Sequence, residues 1–143
     1  IPEKDSSFDT IICTEVFEHI PDPTAALAEF YRLLRPGGEL ILTAPFASLT
    51  HFAPYHFSTG FSKYWYEHHL PKIGFAITEL TPNGNYSEYL AQELFRMTTY
   101  FGKAPFFIKI FTAFILRYIK SRKDQNSNAD IGGFGFHVIA QKK

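Results

Sequence analysis

The sequence contains few of the residues that mark secreted or nucleic-acid-binding proteins. Cys13 is the only cysteine among 143 residues, which excludes an internal disulfide and favours a reducing, cytoplasmic location. Fourteen basic residues balance fourteen acidic ones, so a broad basic surface for nucleic acid is not expected. Met97 is the only methionine and Ile1 is the first residue, from which we expect a piece of a longer protein. The chain is nevertheless 45% hydrophobic and 17% aromatic, enough to bury the core of a domain.

The first third of the chain predicts a strand, a helix and a second strand. The apolar, β-branched run Phe8–Thr14 is typical of a strand buried on both faces. Asp22 can cap a helix that has Pro23 at its first position and runs to about Leu34, where "RPGG" ends it. Glu39–Phe46 is a second apolar strand. A βαβ unit of this kind has parallel strands joined by a right-handed crossover.

The rest of the chain predicts an α/β arrangement with more helix. A loop dense in aromatic residues follows the second strand. The further predicted elements are a helix from about Ser62 to Leu70 ended by Pro71 and Gly74, a strand at Phe75–Leu80, helix from about Ser87 to Lys123 broken near Gly102, and a last strand from about Phe134 to Gln141.

The stretch "FDTIICTEVFEHIPDPTAALAEFYRLLRPGGELILTAPF", residues 8–46, closely resembles the second half of class I S-adenosylmethionine-dependent methyltransferases of the small-molecule type. The shared features are an aspartate beside a buried strand, a Glu-x-x-Glu-His turn, a helix ending in Arg-Pro-Gly-Gly, and a strand ending in Thr-x-Pro. The resemblance implies the C-terminal part of one Rossmann-like domain over residues 1–143, with a βαβ unit and two further strands. Residues 87–123 would be a mainly helical insertion before the last strand.

The resemblance also implies an activity, which is methyl transfer from S-adenosylmethionine to a small or lipid-linked acceptor. A non-catalytic domain of the same fold and metal-dependent 2′-O-methylation of RNA ends are the alternatives, and the neutral charge disfavours RNA. Such enzymes bind their cofactor through a glycine-rich loop after the first strand, which has no counterpart here. "GGFG", Gly132–Gly135, precedes a strand and is more typical of a turn. We therefore expect this chain alone to bind the cofactor poorly and to be inactive.

The polar cluster in "CTEVFEHIPDP" is the main candidate site. Glu15, Glu18 and His19 stand at i, i+3 and i+4, so a helical turn would place them on one face, where they could bind a divalent metal such as Mg²⁺. The alternative is the polar start of a helix. The resemblance favours metal, since matching positions bind it in ubiquinone-pathway O-methyltransferases and small-RNA 3′-terminal 2′-O-methyltransferases. The RNA enzymes add a histidine after the fifth strand, for which His56 is the counterpart and His51 the competitor.

Two further roles are expected around this cluster. Without metal, His19 or His56 could act as the general base that removes the proton of the acceptor. Cys13, Thr14 and Glu15 lie at the carboxyl end of a parallel strand, where open α/β sheets place ligands. The resemblance implies that the backbone there borders the methionine part of the cofactor, while the alternative is that these residues only end a strand.

The aromatic residues after the second strand could form a lid over a flat acceptor or pack in the core. They are Phe52, Tyr55, Phe57, Phe61, Tyr64, Trp65 and Tyr66.

Residues 104–123 combine a short apolar stretch with a basic end. This pattern is compatible with a helix on a membrane surface, a dimer face, or a helix packed over the domain. The basic residues of its end are Arg117, Lys120, Arg122 and Lys123.

Overall fold

A computed structural model describes residues 1–100, 105–121 and 132–143. The predicted helix break near Gly102 and the basic residues Arg122 and Lys123 lie outside the described residues. The chain divides into two compact units, Ile1–Asn83 with Phe134–Lys143, and Gly84–Gly133.

The first unit is built on a four-stranded mixed sheet. Its strands are β1 (Phe8–Thr14), β2 (Leu34–Pro45), β3 (Phe75–Asn83) and β4 (Gly135–Lys142), in the spatial order β1-β2-β4-β3. β1 and β2 are parallel, whereas β4 runs antiparallel to both β2 and β3. The predicted α/β class, with a βαβ unit and two further strands, is confirmed.

Helix α1 (Pro23–Leu33) connects β1 to β2 and begins as the sequence predicts. The Asp22 carboxylate accepts a hydrogen bond from the Ala25 N–H at 2.9 Å, which satisfies one of the free donors of the first turn. At the other end, Lys142 of β4 donates to the carbonyl oxygens of Tyr31 and Leu34 at 2.7 and 2.8 Å. A cation at the C-terminal end of a helix is favourable because the free carbonyls there are partly negative.

The core of this unit lies between the sheet and the helices α1 and α2, the second of which spans Lys63–Ile73. Leu27 of α1, Leu40 and Leu42 of β2, and Val138 and Ala140 of β4 are almost completely buried and belong to one cluster. β2 and β4 are the inner strands of the sheet, which explains why their apolar residues are the most deeply buried.

Two predictions about this unit are wrong in part. β1 is not buried on both faces, because only Cys13 is buried and the side chain of Ile12 is 68% exposed. Within the part of the chain that the structure describes, β1 pairs with β2 alone, so it is an edge strand. Pro71 does not end the second helix, α2 (Lys63–Ile73); it lies in the last turn, and the helix ends at Gly74, whose N–H donates to the carbonyls of Leu70 and Pro71.

In its described residues, the second unit contains two helices, α3 (Tyr86–Tyr100) and α4 (Phe106–Ser121). The Asn85 side chain accepts a hydrogen bond from the Glu88 N–H at 3.1 Å and so caps the start of α3. α3 and α4 pack against each other within this unit. Among the described residues, no helix combines the length and the apolar character that crossing a membrane requires.

Candidate functional site

The candidate site lies where β1 and β2 end. A 3₁₀ turn, Phe17–His19, follows β1, and the loop of residues 46–62 follows β2. Because the two strands are parallel and adjacent, their carboxyl ends meet at one edge of the sheet, where α/β proteins commonly bind ligands.

Backbone hydrogen bonds hold the loop against the turn. The carbonyl oxygen of Glu18 accepts from the N–H groups of Phe57 and Ser58 at 2.9 and 3.2 Å. The Nδ1 atom of His19 donates to the carbonyl oxygen of Tyr55 at 2.5 Å. Because these contacts involve residues on both sides of His56, they hold the imidazole of His56 next to the turn.

Three histidines and one carboxylate come together here. One ring nitrogen from each of His19, His51 and His56 lies within 4.8 Å of the other two. The Oε1 atom of Glu18 lies 3.6 Å from Nε2 of His19 and 3.8 Å from Nε2 of His51. Glu18 is only 1% exposed, so this carboxylate is not simply solvated by water.

The hydrogen bonds of two histidines determine which nitrogen faces the cluster. Since a carbonyl oxygen only accepts, Nδ1 of His19 carries a proton toward Tyr55, and Nδ1 of His51 carries one toward Leu49 at 2.8 Å. In the neutral imidazoles Nε2 is then unprotonated and directed to Glu18 and the other rings. Histidine ligands of metals typically donate their second nitrogen in this way, which fixes the ring orientation.

Several buried atoms of the cluster lack a protein partner. Both ring nitrogens of His56 and the Oε2 atom of Glu18 are buried without a hydrogen bond to any described residue. Buried polar atoms without a partner are costly. The Glu18 oxygen and the unprotonated nitrogen of His56 are acceptors that a bound cation would satisfy. The donor set, three imidazoles and a carboxylate, fits a divalent transition metal.

Glu15 lies apart from this cluster. Its backbone has a positive φ of 51°, uncommon for a residue with a side chain. Its carboxylate accepts a hydrogen bond from the Thr43 hydroxyl at 3.0 Å, and its N–H donates to the Thr43 carbonyl at 2.9 Å. Of the four proposed metal ligands, the structure brings His19 and His56 together with His51, places the Glu18 carboxylate beside His19 and His51, and directs Glu15 to β2.

The proposed cofactor-facing residues end β1 as predicted. Thr14 and Glu15 are exposed at the strand end, whereas Cys13 is 7% exposed. Burial, together with the nearby carboxylate of Glu18, raises the pKa of the Cys13 thiol to about 11. Cys13 is therefore a neutral packing residue at physiological pH. The cofactor role of the strand end stays a prediction.

The aromatic residues of the loop and of the first turn of α2 fall into two groups. Phe61 and Tyr66 are buried, and Phe61 packs with Phe17 and Trp65 at centroid distances of 5.5 and 4.8 Å. Phe52, Tyr55, Phe57 and Tyr64 are exposed. The ring of Phe52 lies 5.6 Å from that of His19 and 5.8 Å from that of His51, so exposed aromatic surface adjoins the histidine cluster.

Residues 1–42, which contain β1, α1 and the Glu18–His19 turn, match the family model described as "Methyltransferase domain". A ubiquinone biosynthesis O-methyltransferase from Xanthomonas oryzae is 51% identical over 41 residues. The aligned stretch spans 29% of this chain and 17% of that relative.

Solved structures extend the likeness to the whole chain at the level of the fold. A candidate sarcosine dimethylglycine methyltransferase from Galdieria sulphuraria aligns with all of this chain and 56% of its own, with a TM-score of 0.56 and 18% identity. The [4+2]-cyclase SpnF aligns with 99% of this chain and 52% of its own, with a TM-score of 0.55 and 18% identity.

The chain resembles class I S-adenosylmethionine-dependent methyltransferases in sequence over its first 42 residues and in fold over its length. Within that class, similar curated proteins include ubiquinone biosynthesis O-methyltransferases from Xanthomonas oryzae and Pseudomonas putida.

Proposed function

We propose that the protein that carries this chain transfers the methyl group of S-adenosylmethionine to a small-molecule acceptor. Support comes from the sequence match over residues 1–42 and from the methyltransferase fold. The observation that carries the proposal is the cluster of His19, His51 and His56, with the buried Glu18 beside it, at the carboxyl ends of β1 and β2. Thr14 and Glu15 at the end of β1 would border the cofactor.

The cluster would hold a divalent metal through Glu18, His19 and His56, with His51 as a fourth ligand. Three imidazoles favour Zn²⁺, Fe²⁺ or Mn²⁺ over Mg²⁺, which prefers an all-oxygen shell. When bound, such a metal lowers the pKa of a hydroxyl group that it contacts. The protein's own contribution is to fix the orientation of the ligands through the Tyr55 and Leu49 carbonyls, so that no reorganisation is needed when the acceptor arrives.

If the site works without a metal, one of its histidines would accept the proton of the acceptor hydroxyl. In the tautomer fixed by Tyr55, Nε2 of His19 is a free acceptor beside Glu18 and could take the proton of the acceptor hydroxyl. His56 has two unpaired nitrogens and is the second candidate base.

The exposed aromatic residues support a flat acceptor. Phe52, which contacts the rings of His19 and His51, would stack on a planar ring and bring its hydroxyl groups to the cluster. We include an aromatic, lipid-linked acceptor among the candidates, and the names of curated relatives, ubiquinone biosynthesis O-methyltransferases, support this choice.

Two carboxylates three positions apart provide a matched test. After dialysis against a chelator, we expect calorimetry to detect Zn²⁺ binding, and Glu18→Gln or His56→Ala to weaken it at least about tenfold. Glu15→Gln is the control, because the Glu15 carboxylate accepts a hydrogen bond from Thr43 and lies apart from the cluster. This variant should keep the Zn²⁺ affinity within about threefold. Equal losses in Glu15→Gln and Glu18→Gln, or no Zn²⁺ binding, would contradict the metal site.

Methyl transfer needs a separate readout. S-adenosylhomocysteine formation should be measured in the protein that carries these residues, with S-adenosylmethionine and a catechol as probe acceptor. Glu18→Gln should lower kcat, whereas Glu15→Gln should change the affinity for S-adenosylmethionine. Metal binding with no turnover of any hydroxyl acceptor would refute the activity and leave the metal site standing.

A further inference from the structure

Helix α4 presents a broad apolar face to solvent. Its exposed large apolar residues include Phe106, Phe107, Ile110, Phe111 and Phe114. At 100° per residue these five positions fall within an arc of about 140°, so they form one continuous face rather than scattered contacts. The opposite side of the helix carries the buried Thr112 and the half-buried Ile108 and Ile115, and packs within the unit.

Exposed aromatic surface of this density is unusual on a helix that faces water. Single exposed apolar side chains need no explanation, but four phenylalanines and an isoleucine within nine residues form a contiguous patch of the kind found at interaction sites. Each exposed fraction lies between 42% for Ile110 and 78% for Phe106.

The charge of α4 indicates what this face contacts. The sequence of the helix contains no aspartate or glutamate, whereas Lys109 and Arg117 are exposed and lie toward one edge of the apolar face. Long basic side chains beside an apolar face can reach phosphate groups while the apolar residues enter the acyl region. A second protein would require a complementary acidic and apolar surface, whereas an anionic bilayer offers both features together.

The length of α4 decides between lying on a bilayer and crossing it. Sixteen residues span about 24 Å, which is shorter than the roughly 30 Å hydrocarbon core. A helix that is too short to cross, apolar on one face and basic at its edge, is typical of binding in the interface plane.

We propose that α4 binds the surface of anionic membranes, with the Phe106–Phe114 face in the headgroup and acyl boundary and with Lys109 and Arg117 on lipid phosphates. This contact would give the protein access to hydrophobic acceptors at the bilayer. It does not depend on the methyl transfer proposed above, because it concerns a separate unit and needs neither metal nor cofactor.

Vesicle flotation of the full chain tests the proposal. We expect binding to vesicles of phosphatidylcholine and phosphatidylglycerol, and at least about fivefold weaker binding to phosphatidylcholine alone. Phe111→Ser should lower the partition coefficient about tenfold, since it removes one buried ring from the contact.

Tyr64→Ser is the matched control, because Tyr64 and Phe111 are both aromatic, both on helices and both 64% exposed. It should leave the partition coefficient unchanged. The double variant Lys109→Glu and Arg117→Glu should remove the preference for anionic vesicles, whereas Lys4→Glu with Lys72→Glu, the same charge change in the first unit, should not. Circular dichroism must show the same helix content in every variant.

Two outcomes would overturn the proposal. The first is no flotation with either vesicle, or equal flotation of Phe111→Ser and Tyr64→Ser. The second is a dimer in sedimentation velocity that Phe111→Ser dissociates, without vesicle binding, which would assign the face to a second copy of the chain.

Discussion

Glu15 and Glu18 show how strongly position decides the role of a carboxylate. Glu18 is buried beside three histidines, while Glu15 adopts a positive φ and bonds the Thr43 hydroxyl of the neighbouring strand. Their spacing would place both on one face of an α-helix, but the turn that forms is 3₁₀ and begins only at Phe17. Glu15 therefore faces β2 instead of the cluster.

His51 was the less favoured of two candidates on sequence grounds, and it joins the cluster together with His56. Its bond to the Leu49 carbonyl, two residues away, sets its ring orientation and has no sequence signature. The available signal was the spacing of two histidines in one loop directly after a parallel strand. Loop geometry decides which of such residues converge, and sequence patterns do not specify loop geometry.

Cys13 predicts a pH dependence of stability. Burial raises the pKa of its thiol from 9.0 to about 11, so above pH 9 the unfolded state loses a proton that the folded state keeps. The free energy of unfolding should then fall as pH rises, at most by about 1.4 kcal/mol per pH unit. Urea unfolding between pH 9 and 11 measures this slope, and Cys13→Ala should flatten it. An unchanged slope in the variant would assign the effect to other groups.

At the scale of elements, local signals predicted well what local interactions determine. Asp22 and Pro23 predicted the start of α1 because capping involves neighbouring residues only. The parallel pairing of β1 and β2 followed from the βαβ pattern. The exposure of β1 did not follow, because an apolar run does not reveal whether its strand is an edge. Pro71 was misleading since a proline in the last turn removes only one hydrogen bond of the helix.

The junction of α2 and β3 depends on a close approach to α1. Gly74 has a φ of 115°, and a Cβ there would lie 2.8 Å from the hydroxyl oxygen of Tyr31. Gly37 also has a positive φ, 79°, but nothing lies within 4 Å of its Cβ position. Gly37→Ala should therefore lower the free energy of unfolding by about 1 kcal/mol through backbone strain alone.

Gly74→Ala should cost about 1–3 kcal/mol more than Gly37→Ala, because overpacking against the Tyr31 ring adds to the strain. Urea unfolding of both variants measures the difference. Equal losses would mean that Tyr31 moves aside without cost and that the close approach contributes nothing to stability.

At the scale of the whole molecule, the second unit connects two paired strands. The Phe134 N–H donates to the Asn83 carbonyl at 2.8 Å, and Asn83 pairs with Gly135, so residues 84–133 join positions that already form the end of a hairpin. We propose that these residues, which include the helical insertion expected at 87–123, are an insertion that the first unit does not need for folding.

Replacing residues 84–133 with Asn-Gly tests this proposal, since that dipeptide forms the two-residue turn of a β-hairpin. We expect cooperative unfolding and unchanged Zn²⁺ affinity, but no binding to anionic vesicles. Replacement by Pro-Pro, which fits that turn poorly, is the control and should lower the free energy of unfolding. Aggregation of both proteins would show that the first unit requires the second.

The position of β4 has a consequence for how the protein is made. β4 follows every other element along the chain, yet it lies between β2 and β3 in the sheet. While the ribosome is still adding residues 84–134, β2 and β3 each keep an open edge that can pair with foreign strands. The sheet of the first unit can therefore be completed only after residues 135–142 are synthesised. The histidine site must assemble on a sheet whose inner strand β4 is synthesised last.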